Sequence, residues 1–267
     1  MNNNPPASGL HPGSVPRRDE VVHEVDDYDL ETFMPVAAQF GQSRYGFVVT
    51  PNVDHLIRCH EDSAFREKYQ TAEYVLLDSR FAAYLLRVVK GVRLRVCTGS
   101  DLTSALLEKV VVPSDRVVLI GGSSEQASYI AARYGLTNMR HYNPPMGFIK
   151  DLEQVEQCLR FIESQSPFRF CFLAVGCPQQ EALAQLLQAR GVAQGLALCV
   201  GASLNFITGD EKRAPRWMQR AALEWLYRLM QDPQRLASRY LVRGPRFFSY
   251  LRRARFVPRP ATTTPGL

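Results

Sequence analysis

The sequence has no run of 18 or more apolar residues, so it offers no transmembrane helix. Its opening stretch, MNNNPPASGLHPGSVPRRDE, has no apolar centre and does not read as a signal peptide. Its six cysteines (Cys59, Cys97, Cys158, Cys171, Cys177 and Cys199) are scattered, with no CxxC pair. That excludes a disulfide scaffold and fits a reducing cytoplasm. Cys171 and Cys199 lie inside apolar runs and read as buried thiols. The five histidines show no metal-ligand spacing, so no zinc site is expected. Neither a GxGxxG fingerprint nor a Walker A lysine is present, which argues against a nicotinamide dehydrogenase and a P-loop enzyme.

What the chain does have is a strongly local charge. Residues 212–259 hold one Lys and 12 Arg against Glu224 and Asp232, a charge of +11. The whole chain of 267 residues carries only +6, which leaves −5 for everything else. Trp, Tyr and Phe interleave with those arginines. The combination suits an anionic, partly apolar surface such as phospholipid headgroups or a lipid diphosphate. A solvated amphipathic tail is the plainer alternative. The apolar residues of the block also suit self-association into a homo-oligomer.

Hydrophobic content of 46% and charged content of 22% are those of a soluble globular protein. Residues 1–26 are rich in Asn, Pro, Gly and Ser and read as disordered. Residues 27–211 read as an α/β core, 212–258 as a basic helical appendage, and 259–267 as a disordered tail. Strands are expected at 46–50, 74–78, 116–120, 170–175 and 196–200. Helices are expected at 52–70, 79–89, 101–111, 124–134, 151–165 and 179–190. The alternation predicts a mostly parallel, Rossmann-like sheet flanked by helices. The basic block is expected to add only helices, with Asp232-Pro233 as a cap and first residue.

Ligands of open α/β sheets bind outside the carboxyl ends of the strands. Here those ends carry Thr50-Pro51-Asn52, Asp78, Gly121-Gly122-Ser123, Gly176 to Glu181, and Gly201-Ala202-Ser203. Five polar or glycine-rich clusters on one edge describe a cleft. Asp78 closes an apolar strand. It reads either as an N-cap or as a general base whose pKa burial raises. Thr50 and Asn52 either orient a substrate or cap the following helix. Ser100 and Asp101 read most simply as caps. Gln180 offers both donor and acceptor to a sugar, or stands in a first helical turn without a ligand. Gly121, Gly122 and Ser123 form either a phosphate-binding helix start or a tight turn. Asp27-Tyr28-Asp29 matches a metal-binding DxD but reads as solvated charge. Cys177, with no histidine near it in sequence, does not read as a nucleophile.

The segments TPNVDHL (50–56), LLDSRF (76–81), TGSDL (98–102), LIGGSSEQA (119–127), PPMGF (144–148), VGCPQQE (175–181), VGASLNFITGDEKRAPRWM (200–218) and LEWLYRLMQDPQRLASRY (223–240) run in order along the chain. Together they resemble the WecG/TagA/CpsF family, glycosyltransferase family 26. The resemblance implies an inverting, metal-independent transferase without a cofactor. Its donor would be a UDP-sugar, its acceptor a polyprenyl-diphosphate-linked saccharide at the inner face of the plasma membrane. It implies Asp78 as the base, and Thr50, Asn52 and Gln180 as substrate-binding residues. It also implies a C-terminal appendage whose arginines complete the site, with Arg213, Arg216 and Arg228 as candidates. Two departures stand out. The usual Asp-Gly is Asp78-Ser79 here, and the usual Gly-Leu-Glu-Trp is Ala222-Leu223-Glu224-Trp225.

The donor reading spans hexosyl and N-acetylmannosaminyl or N-acetylmannosaminuronyl transfer, in surface polysaccharide or exopolysaccharide assembly. A non-catalytic, nucleotide-sensing membrane adaptor is the rival reading. Nucleic-acid binding is the lesser one, because it leaves the five polar strand ends without a role.

Overall fold

The computed structural model describes residues 20–261, apart from the side chains of residues 235, 239 and 240. The first half runs β1 (Val21–Asp26), α1 (Leu30–Gln39), β2 (Tyr45–Val49), α2 (Val53–Glu61), α3 (Ser63–Gln70), β3 (Tyr74–Val75), α4 (Arg80–Lys90) and α5 (Gly99–Lys109). The centre runs β4 (Val117–Ile120), α6 (Ser124–Tyr134), β5 (Met139–Tyr142), α7 (Leu152–Ser164), β6 (Phe170–Leu173), α8 (Gln179–Arg190) and β7 (Gly195–Cys199). The last part runs α9 (Ser203–Thr208), α10 (Arg216–Arg220), α11 (Glu224–Gln231), α12 (Pro233–Ala237), α13 (Arg246–Arg253) and β8 (Ala254–Arg259).

Six strands form a parallel sheet in the order β3-β2-β7-β6-β4-β5. Apart from β5 at one edge, the strands are apolar at nearly every position because both faces are covered. Side chains alternate between the faces. Val48, Leu119, Phe172 and Leu198 pack on one side with Phe33 of α1, Leu106 of α5, Ile130 of α6 and Leu204 of α9. Phe47, Val118, Ile120 and Cys171 pack on the other with Phe65 of α3, Leu159 of α7 and Leu183 of α8. The parallel α/β architecture read from the alternation is the one observed.

The ends of the described chain differ from expectation. Val21–Asp26, placed above in a disordered segment, is a strand; residues 1–19 lie outside the described residues. It pairs in parallel with β8, from Val21 opposite Ala254 to Asp26 opposite Arg259. The basic block therefore ends in a strand rather than adding helices alone. A bridge between Asp26 and Leu76 joins this ribbon to the β3 edge of the main sheet. The block also packs against the rest of the chain. Phe247 and Leu251 of α13 and Phe256 of β8 are buried with Leu56 and Ile57 of α2, Leu85 and Leu86 of α4, and Val25 of β1. The residues expected to be a disordered tail begin with Arg259, which instead holds Asp26; 262–267 lie outside the described residues.

Smaller differences have local causes. The expected helix at 52–70 breaks at Asp62, which ends α2 in extended backbone and caps α3. Asp27-Tyr28-Asp29 is structural, not solvated charge. Asp27 accepts the Arg95 N–H at 2.7 Å, Tyr28 is buried among Phe33 and Tyr74, and Asp29 caps α1. Among the described residues, no helix is long and apolar enough to cross a membrane.

Candidate active site

Four of the five polar strand ends meet in one cavity of about 640 Å³. Thr50 and Asn52 follow β2, Asp78 follows β3, Gly176, Cys177 and Gln180 follow β6, and Cys199 ends β7 with Val200 to Ser203 after it. The volume suits a small-molecule ligand. The opposite wall comes from the basic block, through Ala222, Glu224, Trp225, Arg228 and Phe248. The basic block thus contributes directly to the cavity lining.

Asp78 is not a cap. Ser79 takes that role, its side chain accepting the Ala82 N–H at 3.1 Å. The φ of −162° at Ser79 is extended backbone open to any residue, so serine in place of the family's glycine distorts nothing. The Asp78 carboxyl looks into the cavity with protein around it. Burial pushes its pKa up to about 7. Arg228 pulls the other way, Glu224 adds to the rise, the Gly99 N–H opposes it as a hydrogen-bond donor, and Asp101 adds a little more. A carboxyl poised near neutrality can accept a proton and release it again.

Thr50 is buried, and its hydroxyl donates to the Cys199 carbonyl at 3.3 Å. Asn52 does cap α2, accepting from the N–H groups of Asp54 and His55, while also lining the cavity. Gln180 lines the cavity too, but its amide is engaged by the protein. Its oxygen accepts the Gly201 N–H at 2.9 Å and its nitrogen donates to Glu181 Oε1 at 3.0 Å. The cap of α5 is Thr98, not Ser100 or Asp101.

Of the three candidate arginines, only Arg228 lines the cavity. Its guanidinium lies 4.8 Å from the centre of the Phe206 ring, and its buried Nε has no hydrogen-bond partner. Arg213 lies over the same ring at 5.8 Å, and is held by Asp101 and by Ser100. Burial alone raises the Asp101 pKa, but hydrogen bonds from Arg213 and Thr98 outweigh it and leave the carboxyl below its usual range. Arg216 is exposed on α10 and lies outside the cavity lining. Sequence reading missed Arg80, which starts α4, lines the cavity and faces Glu224 at 3.9 Å. An arginine in a first helical turn carries no signal of its own. The other missed residue is Phe206, an ordinary apolar residue until two guanidinium groups are seen on it.

Gly121, Gly122 and Ser123 do not line the cavity. Their φ values of +90° and +75° at the glycines mark a tight turn. A Cβ on Gly121 would stand 2.8 Å from the Ala174 carbonyl oxygen. Two of the N–H groups expected to meet phosphate are spent internally. Gly121 donates to Tyr142 O at 2.9 Å and Ser123 to Gln126 Oε1 at 3.0 Å. The tight turn is therefore present, with two of its N–H groups bonded within the protein.

A family model described as the glycosyl transferase WecG/TagA/CpsF family matches residues 21–261. The chain belongs to this family. The match begins at the first residue of β1 and ends two residues past β8. The clasp of terminal strands and the basic wall of the cavity thus fall within the unit that defines this WecG/TagA/CpsF glycosyltransferase.

Proposed function

We propose that this glycosyltransferase moves a sugar from a UDP-sugar to a polyprenyl-diphosphate-linked saccharide, with inversion, during surface polysaccharide assembly at the inner face of the plasma membrane. The observation that carries this reading is Asp78, a carboxyl with its pKa raised to about 7, in a cavity whose facing wall supplies Arg228. The acceptor hydroxyl oxygen attacks the anomeric carbon, and the bond to UDP breaks with its electron pair leaving on the diphosphate. The hydroxyl proton passes to Asp78. Arg228 and Arg80 supply positive charge to the leaving diphosphate. Thr50 and Asn52 shape the floor that orients the sugar. Gln180 fixes that floor by holding the tips after β6 and β7 together.

Exposed Trp217, Leu241, Val242 and Phe248, set among the block's arginines, support docking on an anionic lipid surface. The test is UDP release by purified protein. It uses UDP-activated N-acetylmannosamine, its uronic acid, glucose and galactose, with and without a short polyprenyl-diphosphate saccharide in detergent. Acceptor-dependent release with one donor establishes the transfer. UDP binding without release from any of them favours the adaptor reading. Asp78→Asn is expected to lower the rate by about 10²–10⁴-fold, and a near-normal rate rejects it as the base.

A further inference from the structure

Three side chains able to ligate a metal, from two distant parts of the chain, converge beside the cavity. One ligand atom each of His55, Cys177 and Glu181 lies within 4.8 Å of the others. His55 sits in the first turn of α2, Cys177 in the loop after β6, and Glu181 in the first turn of α8. His55 and Cys177 line the cavity, whereas Glu181 is only 1% exposed. Glu181 Oε1 accepts from Tyr69 at 3.3 Å and from Gln180 at 3.0 Å. Its other oxygen, Oε2, is buried with no hydrogen-bond partner. A buried carboxylate oxygen left unpaired is costly and calls for a proton or a cation.

We propose that His55, Cys177 and Glu181 form a binding site for one borderline-soft divalent cation, with Zn²⁺ the best match. The donor set is one imidazole nitrogen, one sulfur and one carboxylate oxygen, which suits Zn²⁺ and is a poor match for Mg²⁺ or Ca²⁺. A thiolate, a carboxylate, a neutral imidazole and a divalent cation sum to zero charge, as a largely buried place requires. On binding, the Cys177 S–H bond breaks, a sulfur–metal bond forms, and the proton leaves to the buffer. Metal–ligand bonds of roughly 2.0–2.3 Å put tetrahedral donors about 3.5 Å apart, so side chains close in by about 1 Å. Tyr69 and Gln180 already orient the carboxylate, the outer-shell role such sites need. Because His55 and Cys177 line the cavity, a cation held by all three would border it.

His55 sets a condition on binding. Its Nδ1 accepts the Asn52 N–H at 3.2 Å, which leaves the neutral ring's proton on Nε2. A cation on Nδ1 replaces that bond without a change of tautomer, whereas one on Nε2 requires the tautomer to switch. Asn52 keeps α2 capped in either case through its side-chain oxygen. The five histidines gave no hint of this site because only one of them contributes, and the chain separates it widely from the other two donors.

The test uses the intact, chelator-treated protein and reads binding alone, so it stands apart from glycosyl transfer. Titration with Co²⁺ should give a thiolate-to-cobalt absorption band saturating at one equivalent, displaced by Zn²⁺. Cys177→Ser should abolish the band, and Glu181→Gln should weaken Co²⁺ binding roughly tenfold or more. In the unaltered chain, Zn²⁺ should slow alkylation of Cys177, mapped by peptide mass, by at least about tenfold. Cys177 is the one cysteine that is not buried, so the readout is clean. Absence of the band at one equivalent, its persistence in Cys177→Ser, or alkylation indifferent to Zn²⁺ overturns the site. Should Cys177→Ser fail to fold, the alkylation result decides.

Discussion

The side-chain oxygen of Gln180 accepts the backbone N–H of Gly201 at 2.9 Å, tying the first turn of α8 to the loop after β7. With its nitrogen on Glu181, Gln180 is a brace across the cavity floor before it is a ligand for anything. Gln180→Ala leaves a partly buried N–H and a buried carboxylate oxygen each short of a partner. The expected cost is about 1–3 kcal/mol of stability, read as a lower Tm. A sugar-binding role alone would lower turnover and leave the Tm in place.

Asp78 links activity to a stability cost. An ordinary aspartate titrates at 3.8, and burial moves this one to about 7. Between those values the folded protein holds a proton that the unfolded chain has released. Stability therefore falls as pH rises from about 4 to about 7, and stays low above. Asp78→Asn removes that dependence. Its Tm should exceed that of the unaltered protein at pH 8, and the gap should close towards pH 4. Equal Tm values at pH 8 would show that the carboxyl is not buried as described. The same change should abolish most transfer, so stability and activity move in opposite directions.

Ala222 has a φ of +59°, the one positive value among the described non-glycine residues. This is the left-handed region, where a Cβ crowds the following carbonyl and costs about 1–2 kcal/mol. The position is one where the family usually has glycine, so the departure noted in the sequence has a physical meaning. Ala222→Gly should raise stability by about 1 kcal/mol in denaturant titration. No gain, or a loss, would place the backbone in another conformation. Ala222 lines the cavity, so the strain lies beside Glu224 and Arg228 on the basic wall.

The parallel sheet was legible because its strands announce themselves. FVV, VVLI, FCFL and LALC are unbroken apolar runs between helices with clear caps. At the edges only β3, inside the apolar run YVLLD, was; three other edge strands were not. MRHY of β5 and ARFVPR of β8 mix charge with apolar residues, and VVHEVD of β1 sits against a polar leader. Pairing between β1 and β8 spans more than 200 residues of chain, and no local pattern reports it. Rim residues were legible as a group, since the carboxyl ends of parallel strands must share one edge. Their individual roles were not. Whether Gln180 faces a sugar or Gly201, and whether Gly121 N–H faces phosphate or Tyr142, depends on neighbours from other strands. Arg213 and Arg228 looked alike in sequence; only the second lines the cavity.

Two residues of the basic wall pull the Asp78 carboxyl in opposite directions, which allows a paired test. Arg228 favours the charged form and Glu224 opposes it. If Asp78 accepts the proton as carboxylate, the rate rises with pH through a limb centred near its pKa of about 7 and levels off above. Glu224→Gln removes a negative neighbour, so the limb should move to lower pH. Arg228→Gln removes a positive one, so the limb should move to higher pH. It should also lower the plateau, because the leaving diphosphate loses a countercharge. Arg160→Gln, on α7 and outside the cavity, should move neither. The measurement is kcat/KM against pH for the free enzyme's ionisations. Shifts in the same direction for Glu224→Gln and Arg228→Gln would mean that both act by disturbing the fold of the wall. Opposite shifts can only come from charge acting on a shared titrating group. That group is identified as Asp78 if the limb vanishes in Asp78→Asn.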